Sequence, residues 1–331
     1  MSKEWTYKKP EEVGMNPDKM KELDNALNYQ LGTIKSVVIA KDDSIVYQKY
    51  LQGCQKEDTH NISTVTQSIM SALIGIAVDK GYIKGVDQCI ADFFSDAELN
   101  DAAKHITIEE LLTMSVPYTW KGKEPLDRIR RKKNWVDFIL STISKKKKEE
   151  FRFSMGNSHL LSAILTKATG MSTREFANEY LFKPIGMNEV SDNEMKSFSK
   201  DYVYGEKIDG WVKDPQGIFA GGWGLSVTAE DLARFGCLYV NNGKCDGKQI
   251  VSEKWVKDSV AQYYEDSGYS WWLRGVENPL VYMAVGIGGT YLYCIPEFKL
   301  TVVIISKLDN MFFDRWELVE DYILPSILGR I

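Results

Sequence analysis

"HNISTVTQSIMSALIGIAVDKGYI", residues 60–83, decides how the rest of this chain is read. A short polar patch runs into Ala, Leu, Ile and Gly and stops at Lys80-Gly81. Apolar residues on every side of the period predict a buried helix over 67–80. A polar patch at a buried helix start can hold a reactive side chain against unpaired backbone N–H groups. The residues placed to react here are Thr64 and Gln67, a hindered alcohol and an amide.

Working outward, the 331 residues are 44% hydrophobic, enough for one large domain with a substantial core. The formal net charge is −5 with both signs interspersed, which gives no reason to expect nucleic acid or a membrane surface as partner. The start, "MSKEWTYKKPEEVGMNPDKM", has no apolar h-region, and no run approaches the ~20 apolar residues of a membrane span. A cytoplasmic setting is the expectation. The five cysteines, Cys54, Cys89, Cys237, Cys245 and Cys294, are odd in number and lack a CxxC pair, so reduced thiols are expected. His60, His105 and His159 have no metal-ligand spacing, and neither a metal nor a cofactor is expected.

Residues 15–31 have helical periodicity, with Asn16 as cap and Pro17 at the first helical position. Residues 36–53 read as a hairpin turning at Lys41-Asp42-Asp43. Thr107 and Glu110 form a capping box for a short helix over 107–114. Residues 157–187 give two helices parted at Gly170, the second capped by Ser172 or Thr173, and Thr228 caps a further amphipathic helix. Strands are expected at 269–275, 290–296 and 299–306, then a helix over 315–328. The segment 121–152 carries twelve Lys or Arg against five Asp or Glu. It reads as a solvated excursion, or as a basic rim for an anionic ligand. Strands at both ends with helices between predict a mixed α/β fold: one antiparallel sheet assembled from both termini and a large, mainly helical insertion. A single domain over 1–331 is expected. Its α/β lobe takes about 1–60 plus 220–331 and its helical lobe about 61–219.

Three separated stretches carry a resemblance: "SIMSALIGIAVDKGYIKGVDQCIADFF", "GNSHLLSAILTKATGMSTREFANEYLFKPIGM" and "GGWGLSVTAEDLARFGCLYVNNGK". The chain resembles the superfamily of serine β-lactamases, penicillin-binding proteins and esterases, in the class C β-lactamase-like branch. The resemblance implies acyl transfer through a covalent acyl-serine, using Ser-x-x-Lys, Tyr-x-Asn, and His-Gly-Gly or Lys-Thr-Gly beside an oxyanion hole. In this register the serine position holds Thr64, the lysine position Gln67, the tyrosine position Phe153, the asparagine position Met155, and the histidine or lysine position Ile287. Gly288, Gly289, Thr290, Tyr118 and Trp223 are expected to border the ligand pocket. Trp120, Trp211, Trp271 and Trp272 are further candidates for its aromatic walls, or for core. Backbone N–H groups of residue 64 and of the strand after Gly289 would form the oxyanion hole.

The replacements decide the expected chemistry. An amide cannot accept a proton near neutral pH, Phe has no hydroxyl, and the methyl of Thr64 crowds attack. Other serines are weak substitutes. Ser63 has Thr66 and Ser68 has Ser71 at the lysine spacing. Ser144 with Lys147 and Ser197 with Lys200 have the spacing but no buried helix after them. Ser154 has no lysine nearby in sequence. Three functional classes remain: an inactive hydrolase scaffold, natural or engineered; a working hydrolase of esters, amides or β-lactams using Thr64 or a rerouted serine; and a module binding a small apolar or ester- or amide-like ligand. No pattern speaks to oligomeric state.

Overall fold

The structure is a computed structural model and describes residues 3–30, 32–121, 124–145, 151–206, 208–264, 266–274, 279–309 and 313–327. Period-two alternation builds its main sheet. The strands are β1 (Thr6–Tyr7), β2 (Ile34–Lys41), β3 (Ser44–Tyr50), β4 (Trp272–Arg274), β5 (Val281–Gly286), β6 (Thr290–Ile295) and β7 (Leu300–Ser306). Their order is β1-β3-β2-β7-β6-β5-β4. β1 runs parallel to β3 and every other pairing is antiparallel. The fold is the mixed α/β architecture, with its sheet drawn from both ends of the chain. The β2–β3 turn places Asp42 and Asp43 at φ 48° and 57°, the left-handed pair that matches a hairpin's twist.

Four helices position the site: α1 (Pro17–Gln30), α2 (Thr66–Asp79), α3 (Met155–Thr169) and α4 (Ala229–Val240). Val37, Ile39, Val302 and Ile304 face one way and bury Leu23 and Leu27 of α1 with Val319 and Ile323 near the C-terminus. Val38, Val303 and Ile305 face the other way, into the larger core that holds α2, α3 and α4. Every residue of α2 from Thr66 to Ala77 is buried, as an all-round apolar helix requires.

Some elements differ from expectation. The final helix is broken. Trp316–Leu318 is α-helical, Val319–Ile323 widens, and Leu324–Ser326 tightens, because Pro325 has no N–H to return to residue 321. The strand expected over 269–275 shrinks to Trp272–Arg274, since Ser270 sits at φ 59°. Strand β5 was not among the expected strands, although Asn278-Pro279 stands just before it as a turn signal. The 121–152 segment is more than a solvated excursion: its helix Trp135–Ser141 buries Trp135, Val136, Ile139 and Leu140. Among the described residues no helix is long and apolar enough to cross a membrane.

Gly75 of α2 lies against Trp255, and a Cβ there would fall 2.4 Å from the indole ring. Gly75→Ala should lower the urea midpoint, because about 2 kcal/mol of overpacking outweighs the ~1 kcal/mol gain in helix propensity.

Candidate active site

The site begins where the chain enters α2. His60–Asn61 pairs with Ser226–Val227, and the Ile62 N–H donates to the Leu225 carbonyl at 2.9 Å. Ser63 then takes a left-handed φ of 52°. This conformation costs a non-glycine residue roughly 1–3 kcal/mol and persists only when its surroundings hold it. Three bonds hold it: the Ser63 N–H donates to Asn61 Oδ1 at 2.9 Å, the Ile287 N–H donates to Ser63 Oγ at 3.3 Å, and Thr66 Oγ1 donates to the Ser63 carbonyl at 2.6 Å. The bend turns Thr64 toward β5, where its hydroxyl donates to the Val285 carbonyl at 2.8 Å.

Four of the five motif positions, Thr64, Phe153, Met155 and Ile287, line one chamber of about 390 Å³. Gln67 is buried outside that lining, and its Nε2 has no partner among the described residues. Trp272, Met283 and Val285 complete an apolar wall, each from the same face of β4 or β5. The Phe153 ring stacks near Trp272, with centroids 6.3 Å apart. Among the described residues, three titratable ones reach the chamber: Tyr291, Arg274 and Asp314. Burial pushes the Tyr291 phenol up to about 12, so it stays protonated near neutral pH. Arg274 and Asp314 pair at 3.2 Å.

Met155 and Ile287 also line a second, polar chamber of about 810 Å³, and no other residue is common to the two linings. Ser63, Glu124, Lys200, Tyr204 and Trp223 border this polar side. Glu124 was not among the sequence candidates. It caps α3 from a distant segment: Oε1 accepts from Ser154 Oγ at 2.8 Å and the Gly156 N–H at 2.9 Å, and Oε2 from the Met155 N–H at 2.7 Å. The fit needs Gly156, whose Cβ would lie 2.7 Å from Oε1. Burial raises the Glu124 carboxyl above its ordinary range, and the three donors only partly offset this. Ser154 is fully buried by this arrangement and also caps α3 through the Asn157 N–H. Of the described charged residues of the 121–152 segment, the acids Glu124 and Asp127 border this chamber, together with Lys200 from outside the segment.

The remaining candidates lie elsewhere. Gly288, Gly289, Thr290 and Tyr118 border neither chamber. A Cβ on Gly288 would meet the Lys307 carbonyl at 2.0 Å, and one on Gly289 the Arg315 side chain at 3.0 Å. Thr290 Oγ1 accepts from the Ser306 N–H at 3.1 Å, and Tyr118 donates to Asn157 Oδ1. Trp211 and Trp271 are core residues. Ser68 donates to the Ser270 carbonyl at 2.6 Å and Ser197 to Ser199, while Lys200 pairs with Asp127. Lys147 lies outside the described residues. Arg274, Asp314 and Tyr291 were missed; the alternation that places Arg274 two residues after Trp272 could have marked the first.

Comparisons with known proteins agree with this fold. A family model described as Beta-lactamase matches residues 35–321. The 6-aminohexanoate-dimer hydrolase of Paenarthrobacter ureafaciens is 21% identical over 321 residues, spanning 88% of this chain and 76% of that protein. The octameric penicillin-binding protein homologue from Pyrococcus abyssi superposes with a TM-score of 0.70 at 19% identity, covering 93% of this chain and 78% of its own. A class C beta-lactamase gives 0.71 at 15% identity, covering 96% and 98%.

A carboxyl whose folded pKa is raised above the ordinary 4.5 favours folding below that value, and the contribution is lost as pH rises through the folded pKa. The stability of the wild type relative to Glu124→Gln should therefore fall as pH rises from 4.5. Urea titrations of both proteins across the acidic range measure this difference, and a difference that rises with pH would show a lowered carboxyl instead.

Proposed function

This chain belongs to the beta-lactamase family, and from that premise we propose that it keeps a serine-hydrolase scaffold without the acyl-transfer chemistry, its reaction cleft now holding a small apolar ligand. The fate of the Thr64 proton carries the reading. A nucleophilic alcohol needs a neighbour that removes its hydrogen ion. Thr64 Oγ1 instead donates to Val285, a backbone carbonyl, which cannot serve as a base near neutral pH. Gln67, Phe153, Met155 and Ile287 add no proton acceptor, and the Tyr291 phenol titrates only at about 12. Losing the nucleophile or base of a coupled set costs on the order of 10⁴–10⁶ in rate. A background of ~10³–10⁴ over water can remain from binding and oxyanion contacts.

Apolar replacements at three motif positions explain how the same cleft binds. Phe153 and Ile287 stay 39% and 45% exposed, a cost in water that a bound apolar surface would relieve. Replacement confined to five positions inside matching flanks favours deliberate inactivation over natural loss. A cytoplasmic setting fits the five free thiols.

One observation favours a second reading, hydrolysis of an ester, amide or β-lactam through a rerouted serine. Ser63, the strained residue beside Thr64, faces the chamber that holds Glu124 and Lys200. Incubation with a fluorophosphonate and with a penicillin, followed by intact-mass spectrometry, separates the two readings. The proposal expects no adduct; a stable adduct on Thr64 or Ser63 contradicts it. Thr64→Ser, Gln67→Lys, Phe153→Tyr, Met155→Asn and Ile287→His, made together, should give esterase turnover far above the parent's background. A folded but inert quintuple variant would show that these positions are not the reaction centre.

A further inference from the structure

The apolar chamber has one charged end, and from it we infer that the ligand is an apolar monocarboxylate whose carboxylate is bound by Arg274. The inference rests on the binding role proposed above and names the ligand's chemistry. Elsewhere around the chamber little is left to hold a polar group. The Thr64 hydroxyl is committed to Val285 and the Ile287 N–H to Ser63.

Arg274 is different. It follows Trp272 by two on β4, so its side chain leaves the same face of the strand and reaches the chamber. Its guanidinium lies 4.8 Å over the Trp316 ring, which fixes the plane of the fork. Among the described residues the pairing with Asp314 runs through Nη1, to Oδ2 at 3.2 Å. A guanidinium has five N–H donors in a planar fork suited to a carboxylate, so one such contact leaves capacity for a second anion.

The one carboxylate at this end has less capacity to spare than the guanidinium. Asp314 Oδ1 already accepts from the Trp316 N–H at 2.9 Å, so its two oxygens are both engaged. A neutral headgroup gains little there, whereas a carboxylate gains charge-assisted hydrogen bonds from the remaining donors of Arg274. The Arg274 side chain is 40% exposed, so screening keeps the gain modest.

Three probes of equal chain length test this by calorimetry on the intact protein: octanoate, octanol and octylamine. Octanoate should bind about tenfold tighter than octanol, the scale of one partly screened charge-assisted contact. Octylamine should bind more weakly than octanoate. Arg274→Gln should bring octanoate down to the affinity of octanol and leave octanol unchanged. Asp314→Asn, which retains an oxygen for the Trp316 N–H, should tighten octanoate further. Equal binding of octanoate and octanol, or a preference for octanoate that survives Arg274→Gln, overturns the carboxylate inference while leaving the apolar site in place. Preference for octylamine does the same. Failure of all three probes to bind overturns the binding role itself.

Discussion

The left-handed residue Ser63 is the constraint on which the site depends. Its conformation is unfavourable for any residue with a Cβ, and it is kept by bonds from three directions: Asn61 before it, Thr66 after it and Ile287 across from it. The last of these ties the turn to the β5–β6 connection. Without the bend, the chain would enter α2 on a different heading, and Thr64 would not meet the Val285 carbonyl. One strained residue thus sets the heading of a buried helix and the direction of a hydroxyl.

The chemistry follows from that direction. A cleft for acyl transfer needs a proton acceptor beside its alcohol, and here the alcohol bonds to the backbone of the strand it faces. The space left is divided by Met155 and Ile287 into an apolar chamber and a polar one. Both dividing residues are among the five that the resemblance singles out, so these side chains shape the cavity. Glu124 closes the polar side by satisfying the first N–H groups of α3, a capping role that stabilises the helix while it holds an acid beside the cleft.

Local signals in the sequence carried far. The all-round apolar pattern of α2, the Asp42-Asp43 turn, the Thr107–Glu110 capping box and the Thr228 cap each rest on residues a few positions apart, and each has its structural counterpart. The α/β class and the sheet drawn from both termini followed from the placement of those elements. What was illegible depends on distance. Glu124 meets Met155 across 31 positions, and Arg274 meets Asp314 across 40, with no local pattern to announce either pairing. Gly288 and Gly289 marked the right turn, but their backbones serve the approach of Lys307 and Arg315 instead of bordering the cavity. The basic run over 121–152 read as surface because its charges outnumber the apolar residues that anchor it, Trp135 and Ile139 among them.

The position of one hydrogen decides the account. Neutron diffraction from a deuterium-exchanged crystal would locate the deuteron on Thr64 Oγ1. The account predicts that it points at the Val285 carbonyl oxygen; a deuteron directed at a carboxylate or another basic side chain would contradict it.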